Sequence, residues 1–153
     1  MLFRSSELAG YIFVGNELSP ITDEGEIAEV EEALDKSPNE VQQHLNRALE
    51  LLSDRENPDF RNSIKESISA LESNLRKKTG ENTLGKALKE IQKTGIDLNP
   101  QLVSGLTSIY AWTNGKDGIR HAIIDAPNVT IEDAKLMLIL NSALVNYLRS
   151  KEA

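Results

Sequence analysis

The chain lacks several residue patterns on which whole classes of function depend, and cysteine is the first of them. No cysteine occurs among its 153 residues, so the sequence has no disulfide framework, no zinc-thiolate site and no thiol nucleophile. This absence excludes thiol redox chemistry and fits a cytoplasmic location. The two histidines have no carboxylate partner at the spacing of known metal motifs, and the sequence therefore predicts neither a metal site nor a cofactor.

Long apolar runs and an excess of basic residues are also missing. No apolar stretch approaches the length of about 18 residues needed to span a bilayer, and the N-terminal sequence lacks the apolar region and cleavage site of a signal peptide. We therefore expect no membrane partner. The net charge is −7, and residues 1–54 carry twelve acidic but only three basic side chains. Because lysine and arginine supply most nonspecific affinity for nucleic acids, any contact with RNA is expected to be local.

Apolar residues recur at the helical period through most of the chain, which predicts an all-α fold, a bundle of about six helices. Residue types that favour helix starts precede the apolar patterns, at Asp23, Ser37-Pro38, Asn57-Pro58, Thr83, Asn99-Pro100 and Thr130. The last helix is apolar around most of its circumference, which indicates a position in the middle of the bundle. Met137, Leu138 and Leu144 are accordingly predicted to be almost fully buried.

A β-hairpin is predicted ahead of the helices. The run from Tyr11 to Val14 is aromatic and β-branched, Gly15-Asn16 is a turn sequence, and Pro20 confines the second strand to an edge. Because an isolated hairpin is only marginally stable, it must pack on the helices or belong to a neighbouring domain. We assign residues 1–22 to a connector with this hairpin, interpreted as the remnant of a preceding domain, and residues 23–153 to the helical bundle domain.

The segment from Gly80 to Ala87 matches the phosphate-loop pattern G-x-x-x-x-G-K, but two features argue against nucleotide binding. Ala87 stands where a serine or threonine would hold magnesium, and the segment follows a predicted helix instead of a buried strand. Thr83 is better explained as the N-cap of a short helix.

A second central helix is predicted from Leu102 to Trp112. Its apolar side comprises Leu102, Val103, Leu106, Ile109, Tyr110 and Trp112. Between this helix and the last one, the stretch from Asn114 to Ala122 interrupts the two most apolar segments of the chain with glycines, charges and a histidine. The candidate functional residues Lys116, Arg120 and His121 lie in this stretch.

Several strings in the chain resemble a known family. They are Ser69-Ala70-Leu71-Glu72-Ser73, Thr83-Leu84-Gly85-Lys86-Ala87-Leu88, Asp117-Gly118-Ile119-Arg120-His121-Ala122 and Asp133-Ala134-Lys135. They resemble the C-terminal helical domain of bacterial AbiJ-like abortive-infection proteins, and through it the HEPN superfamily of helical domains. The resemblance covers residues 38–150, and the run from Tyr11 to Val14 is similar to the segment that precedes that domain. It implies a HEPN-like helical bundle with a role in phage defence.

The resemblance also implies a candidate catalytic site. Active HEPN ribonucleases cleave RNA without a metal, using an arginine that steadies charge on the phosphate and, four to six residues later on the same helix, a histidine that moves a proton. His121 can be placed on the motif's histidine, but Lys116 stands five residues before it and Arg120 is directly adjacent. Because neighbouring helical residues point about 100° apart, Arg120 and His121 cannot pair as the motif does. The alternative for His121 is a structural histidine bound to a nearby carbonyl or to Asp117.

Three functional interpretations remain open. The first is a helical interaction and dimerisation domain of a defence protein, which lacks robust intrinsic catalysis and acts through an attached or partner effector. The second is a metal-independent endoribonuclease with Lys116, Arg120 and His121 as a variant site. The third is a small-ligand-sensing bundle with a pocket beneath Tyr110 and Trp112.

A homodimer is expected on two grounds. The superfamily that the chain resembles pairs two subunits, and Ile119, Ile123 and Ile124 group apolar side chains in the loop beside the candidate site. Apolar residues grouped on a loop commonly mark an interface. The alternative is that these isoleucines fold back under the final helix.

Overall fold

A computed structural model describes residues 11–114 and 129–152 of the chain. These residues form six α-helices and a two-stranded antiparallel sheet, which confirms the predicted all-α bundle with a short N-terminal hairpin. The elements are β1 (Ile12–Val14), β2 (Glu17–Ser19), α1 (Glu24–Lys36), α2 (Asn39–Ser53), α3 (Phe60–Thr79), α4 (Leu84–Glu90) with a following 3₁₀ turn (Ile91–Thr94), α5 (Pro100–Asn114) and α6 (Ile131–Lys151). Over the described ranges, no helix has both the length and the apolar character needed to cross a membrane.

The hairpin packs on the helices through one of its sides. Val14 and Ile21 are fully buried in the common core, whereas Ile12 is 45% exposed. Gly15 adopts a φ of +56°, which the tight turn requires and which a side chain would disfavour. Its N–H donates to the carboxylate of Glu31 at 3.0 Å, which fastens the turn to α1. The hairpin therefore shares its hydrophobic core with the bundle.

Side-chain caps begin four of the described helices. Asp23, Asp59, Thr83 and Thr130 each accept a hydrogen bond from the backbone N–H three residues later. Thr130 and Asp133 form a complete capping box with both reciprocal bonds. Each cap satisfies a donor that the helix itself leaves unpaired, so these residues fix the helix starts. The predicted starts at Asp23, Thr83 and Thr130 are confirmed.

Two predicted helix starts are wrong in detail. The cap of α3 is Asp59 instead of Asn57-Pro58. At α2 the N-cap position is taken by Pro38 without a side-chain bond, while the N–H of Ser37 donates to the last turn of α1. Only Ser37 and Pro38 join the two helices. The N–H of Ser37 is used to end α1, and the Ser37 side chain is buried instead of capping α2.

The segment that matches the phosphate-loop pattern has a purely structural geometry. Gly80 adopts a left-handed φ of +77° and ends α3, and Thr83 then caps α4. A helix precedes this loop, as predicted, whereas a phosphate loop follows a buried strand. The glycine is therefore explained by the end of the helix.

Helix α3 is covered on two sides, by α2 and by α6. Its small side chains Ser63, Ser67 and Ala70 are all buried. The Ser63 hydroxyl donates to the carbonyl of Ala48 in α2 at 2.8 Å, which requires the two helix backbones to approach closely. A larger residue at position 63 would therefore separate α2 from α3.

Helix α6 lies in the middle of the bundle, as its apolar circumference predicts. Met137 and Leu138 are fully buried, but Leu144 is only partly buried, and the prediction for that residue is wrong. Leu144 borders a small gap beside α5, where the packing is looser. On another side of α6, Asn146 donates from Nδ2 to the carbonyl of Glu29 at 2.9 Å and joins the last helix to α1.

Candidate interaction surface

Helix α5 carries no charged residue. In the sequence none occurs between Asp97 and Lys116, although much of the helix is exposed to solvent. Residues at the start of the helix account for its beginning. Asn99 Oδ1 accepts from the N–H of Gln101 at 2.7 Å, and Pro100 takes the first helical position. The lack of charge on the exposed side is not needed for helix formation and calls for another explanation.

One side of α5 packs into the core. Leu106, Tyr110 and Thr113 are buried. The Tyr110 hydroxyl donates to Asn141 Oδ1 of α6 at 2.6 Å. Burial, together with the negative charge of Glu72, raises the pKa of the Tyr110 hydroxyl above its ordinary value of about 10, so the tyrosine stays a neutral donor even in alkaline solution. This buried hydrogen bond anchors α5 to the central helix.

The adjacent side of α5 exposes apolar residues to solvent. Leu102, Ile109 and Trp112 are 37%, 38% and 42% exposed. At about 100° of rotation per residue, these three and Gly105 fall within about 80° of one another around the helix. We call Leu102, Gly105, Ile109 and Trp112 the α5 strip. The strip lies directly beside the buried side of the helix.

The prediction that the segment from Leu102 to Trp112 is a second central helix is wrong, because Leu102, Ile109 and Trp112 are exposed. These residues share the helical period with Leu106 and Tyr110, which are buried beside them, and periodicity cannot separate a core side from an adjoining docking side. The sequence does show one unusual property of the helix as a whole. A solvated helix face normally carries charged residues, and this one has none.

The candidate catalytic residues and the apolar loop residues lie outside the described ranges. They are Lys116, Arg120 and His121, with Ile119, Ile123 and Ile124. The described chain reaches them from the end of α5 at Asn114 and resumes before the start of α6 at Ile131. The variant ribonuclease site therefore stays a prediction.

The other histidine, His44, has a structural role. Its Nδ1 lies 2.7 Å from Glu66 Oε2, so the pair joins α2 to α3 on a partly exposed surface. Within residues 11–114 and 129–152, no group of three or more histidine, aspartate or glutamate side chains is arranged to hold a metal ion. His44 therefore gives no support to a metal site.

The cavity that the structure describes beneath α5 is too small for a small-molecule ligand. A cavity of about 10 Å³ is bordered by Leu102 and Leu106 of α5 and by Leu144 and Tyr147 of α6, among other apolar residues. A single water needs a cavity of about that volume, whereas small-molecule sites occupy about 300–1,000 Å³. This described cavity does not offer the pocket on which a ligand-sensing function would depend.

Charged side chains are concentrated on other helices. Glu32 of α1 pairs with Arg149 of α6 at 2.7 Å. At the end of α3, Lys78 forms an ion pair with Glu152, and burial lowers the pKa of this lysine. One of the basic residues at the end of α3 is therefore paired within the chain.

Comparisons with known proteins do not assign this surface. The chain matches no protein-family model, no curated protein and no solved structure. We therefore infer function from the chemistry of the chain itself, and chiefly from the α5 strip.

Proposed function

We propose that this protein is a helical dimerisation module whose docking surface is the α5 strip and whose partner is a second copy of the chain. The observation that carries the proposal is the exposure of Leu102, Ile109 and Trp112 on a helix without charge. Contiguous exposed apolar patches mark interaction sites, and the cores of interfaces are depleted of charged residues and enriched in aromatic ones. Tryptophan is also among the residue types that contribute most to binding energy.

The distribution of charge favours a second copy as the partner. In a two-fold dimer each surface patch meets the same patch of its partner, so a charged patch would face its own charge. The chain carries a net charge of −7, with twelve acidic and three basic residues in positions 1–54. Self-association through that acidic part would be repulsive. The α5 strip avoids this repulsion because it is uncharged.

The resemblance to AbiJ-like proteins supports a role in phage defence. In this role the dimer brings together two copies of an attached or partner effector domain, and the module itself lacks robust catalysis. Tethering two domains raises their effective concentration to about the millimolar range for short flexible linkers. Dimerisation alone is therefore sufficient to promote a reaction that requires two effector domains.

The proposal is tested by placing a charge in the strip. Light scattering at micromolar concentration should give the wild type twice the chain mass of 16.9 kDa and Ile109→Glu the mass of a monomer. A glutamate there would be buried without a partner in the dimer and solvated in the monomer. Ile12→Glu is the matched control, since Ile12 is 45% exposed on the hairpin, and this variant should remain a dimer.

Two results would reject the dimerisation module. One is a wild type that is monomeric throughout the micromolar range. The other is an Ile109→Glu variant that remains dimeric while its circular dichroism matches that of the wild type.

A further inference from the structure

The α5 strip has the spacing of a helix-pairing seam. Its residues Leu102, Gly105, Ile109 and Trp112 are separated by alternating steps of three and four positions. Alternation of three and four gives the average of 3.5 residues with which one helix presents a continuous seam to another. The buried residues Leu106 and Thr113 follow one position after Gly105 and Trp112, so the seam adjoins the core without being part of it.

Contacts among the described residues do not explain Gly105. It lies in the middle of a helix, where glycine is less favourable than alanine. A Cβ at this position would meet no atom of the described residues within 4 Å, so the packing that the structure describes does not require a glycine. Glycine at an exposed helix position allows another backbone or a large side chain to approach closely.

We propose that the second copy docks its own α5 antiparallel along the strip, with the two-fold axis at the level of Thr107. This inference rests on the proposed dimerisation through the strip and adds the orientation and the contacts. An axis at this level brings Gly105 opposite Ile109 of the second copy and Leu102 opposite Trp112 of the second copy, each contact occurring twice. The absence of a side chain at Gly105 makes the hole into which Ile109 fits.

The parallel arrangement lacks this complementarity. It would set Gly105 against Gly105 and Trp112 against Trp112, leaving a gap at one level and placing two large side chains against each other at another. Protein interiors and interface cores are close-packed, so gaps and overpacked levels both reduce stability. The order of small and large residues along the strip therefore selects the antiparallel pairing.

Engineered cysteines test the orientation directly, because the natural chain contains none. In the antiparallel pairing, residues 102 of the two copies are separated by about 15 Å along the helices, at a rise of about 1.5 Å per residue. A disulfide spans no more than about 7 Å between Cα atoms. Under mild oxidation, each of the variants Leu102→Cys and Trp112→Cys should therefore form few covalent dimers by itself. A mixture of the two variants should form many.

The mixture is studied at a protein concentration at which both variants are dimeric by light scattering. Leu102→Cys mixed with Ile12→Cys gives the background from random collision. Covalent dimers of Leu102→Cys alone would show a parallel pairing and overturn the inference. Mixing without cross-linking above background would show another register and also overturn it. In either case a wild-type dimer that Ile109→Glu dissociates would leave the proposed function intact, whereas a monomeric wild type would reject both.

Gly105→Ala provides a second test in which stability and association change in opposite directions. Alanine is the better helix former, so the melting temperature of the monomeric Ile109→Glu background should rise. The added methyl group meets Ile109 of the second copy at two symmetric contacts and should raise the dimer Kd about tenfold or more. Gly85→Ala is the matched control, since a Cβ there also meets nothing within 4 Å and the dimer Kd should not change. A Gly105→Ala dimer as tight as the wild type would overturn the inference.

Discussion

Removal of the Tyr110 hydroxyl should destabilise the fold out of proportion to the size of the change. The hydroxyl donates to Asn141 Oδ1 at 2.6 Å, and Asn141 Nδ2 donates in turn to the carbonyl of Met137 at 2.7 Å. Asn141 is fully buried, so water cannot replace the lost donor. Leaving a buried acceptor unpaired costs about 1–3 kcal/mol, and we expect Tyr110→Phe to lower the free energy of unfolding by that amount.

A double-mutant cycle separates the hydrogen bond from the packing of the ring. Asn141→Leu removes the acceptor and leaves the Tyr110 hydroxyl unpaired, so it should also destabilise the protein. In the double variant both partners are apolar, so no polar group of this pair is left buried and unpaired. The free energy of unfolding of the double variant should therefore be about 1–3 kcal/mol higher than the sum of the two single losses predicts. Urea denaturation of the four proteins measures this difference. Additive losses would refute the assignment of the hydrogen bond as the anchor of α5.

The dependence on pH gives an independent check of the same group. Burial, and secondarily the charge of Glu72, raises the pKa of the Tyr110 hydroxyl. The folded protein therefore keeps a proton that the unfolded chain releases above about pH 10, so the contribution of this group is complete below about pH 10 and falls as the pH rises further. At about pH 11 the wild type should have lost about 1.4 kcal/mol more than Tyr110→Phe. The other two tyrosines are present in both the wild type and Tyr110→Phe, so their titration cancels in the comparison. If the difference in free energy of unfolding between the two proteins does not change from about pH 9 to about pH 11, the raised pKa of Tyr110 is contradicted.

Two further predictions concern the core and the candidate catalytic residues. Leu138→Ala should lower the free energy of unfolding by about 2–5 kcal/mol because the side chain is fully buried, while Leu136→Ala, at a site 57% exposed in the same helix, should change it by less than about 0.5 kcal/mol. Denaturant melts measure both, and equal losses would contradict the central position of α6. The purified protein should not cleave single-stranded RNA in EDTA, and His121→Ala should make no difference. Cleavage that falls by about two orders of magnitude or more in that variant would reject the proposed lack of catalysis in favour of the ribonuclease interpretation.

Features of the fold that depend on residues a few positions apart in the sequence are predictable from it. The cap at Thr130 is predictable because Asp133 stands three positions later, and the central place of α6 follows from its apolar circumference. The role of Ser37 is not predictable in this way, because the end of α1 and the start of α2 compete for the same short connection. Local patterns identify the residue that begins a helix only where a single helix needs hydrogen bonds from that residue.

The candidate surface was predictable only in part. The helical period placed Ile109 and Tyr110 together on one apolar side, whereas the fold buries Tyr110 against Asn141 and leaves Ile109 in solvent. Which side faces inward depends on contacts with a helix that begins more than twenty positions later, and such contacts have no local signature. The absence of charge along α5 is visible in the sequence, but it holds for every side of the helix and cannot by itself tell Ile109 from Tyr110.

The bond from Asn146 to Glu29 has a consequence for the order in which the fold forms. It joins residues 117 positions apart, whereas the bond from Ser63 to Ala48 joins residues 15 positions apart. Because the entropy cost of closing a loop rises with its length, contacts between α2 and α3 should form early and those between α1 and α6 late. Contacts that form late should be the first to break when the folded protein opens partially, so α1 should detach before α3. The amide protons of α1 should therefore exchange with solvent faster than those of α3.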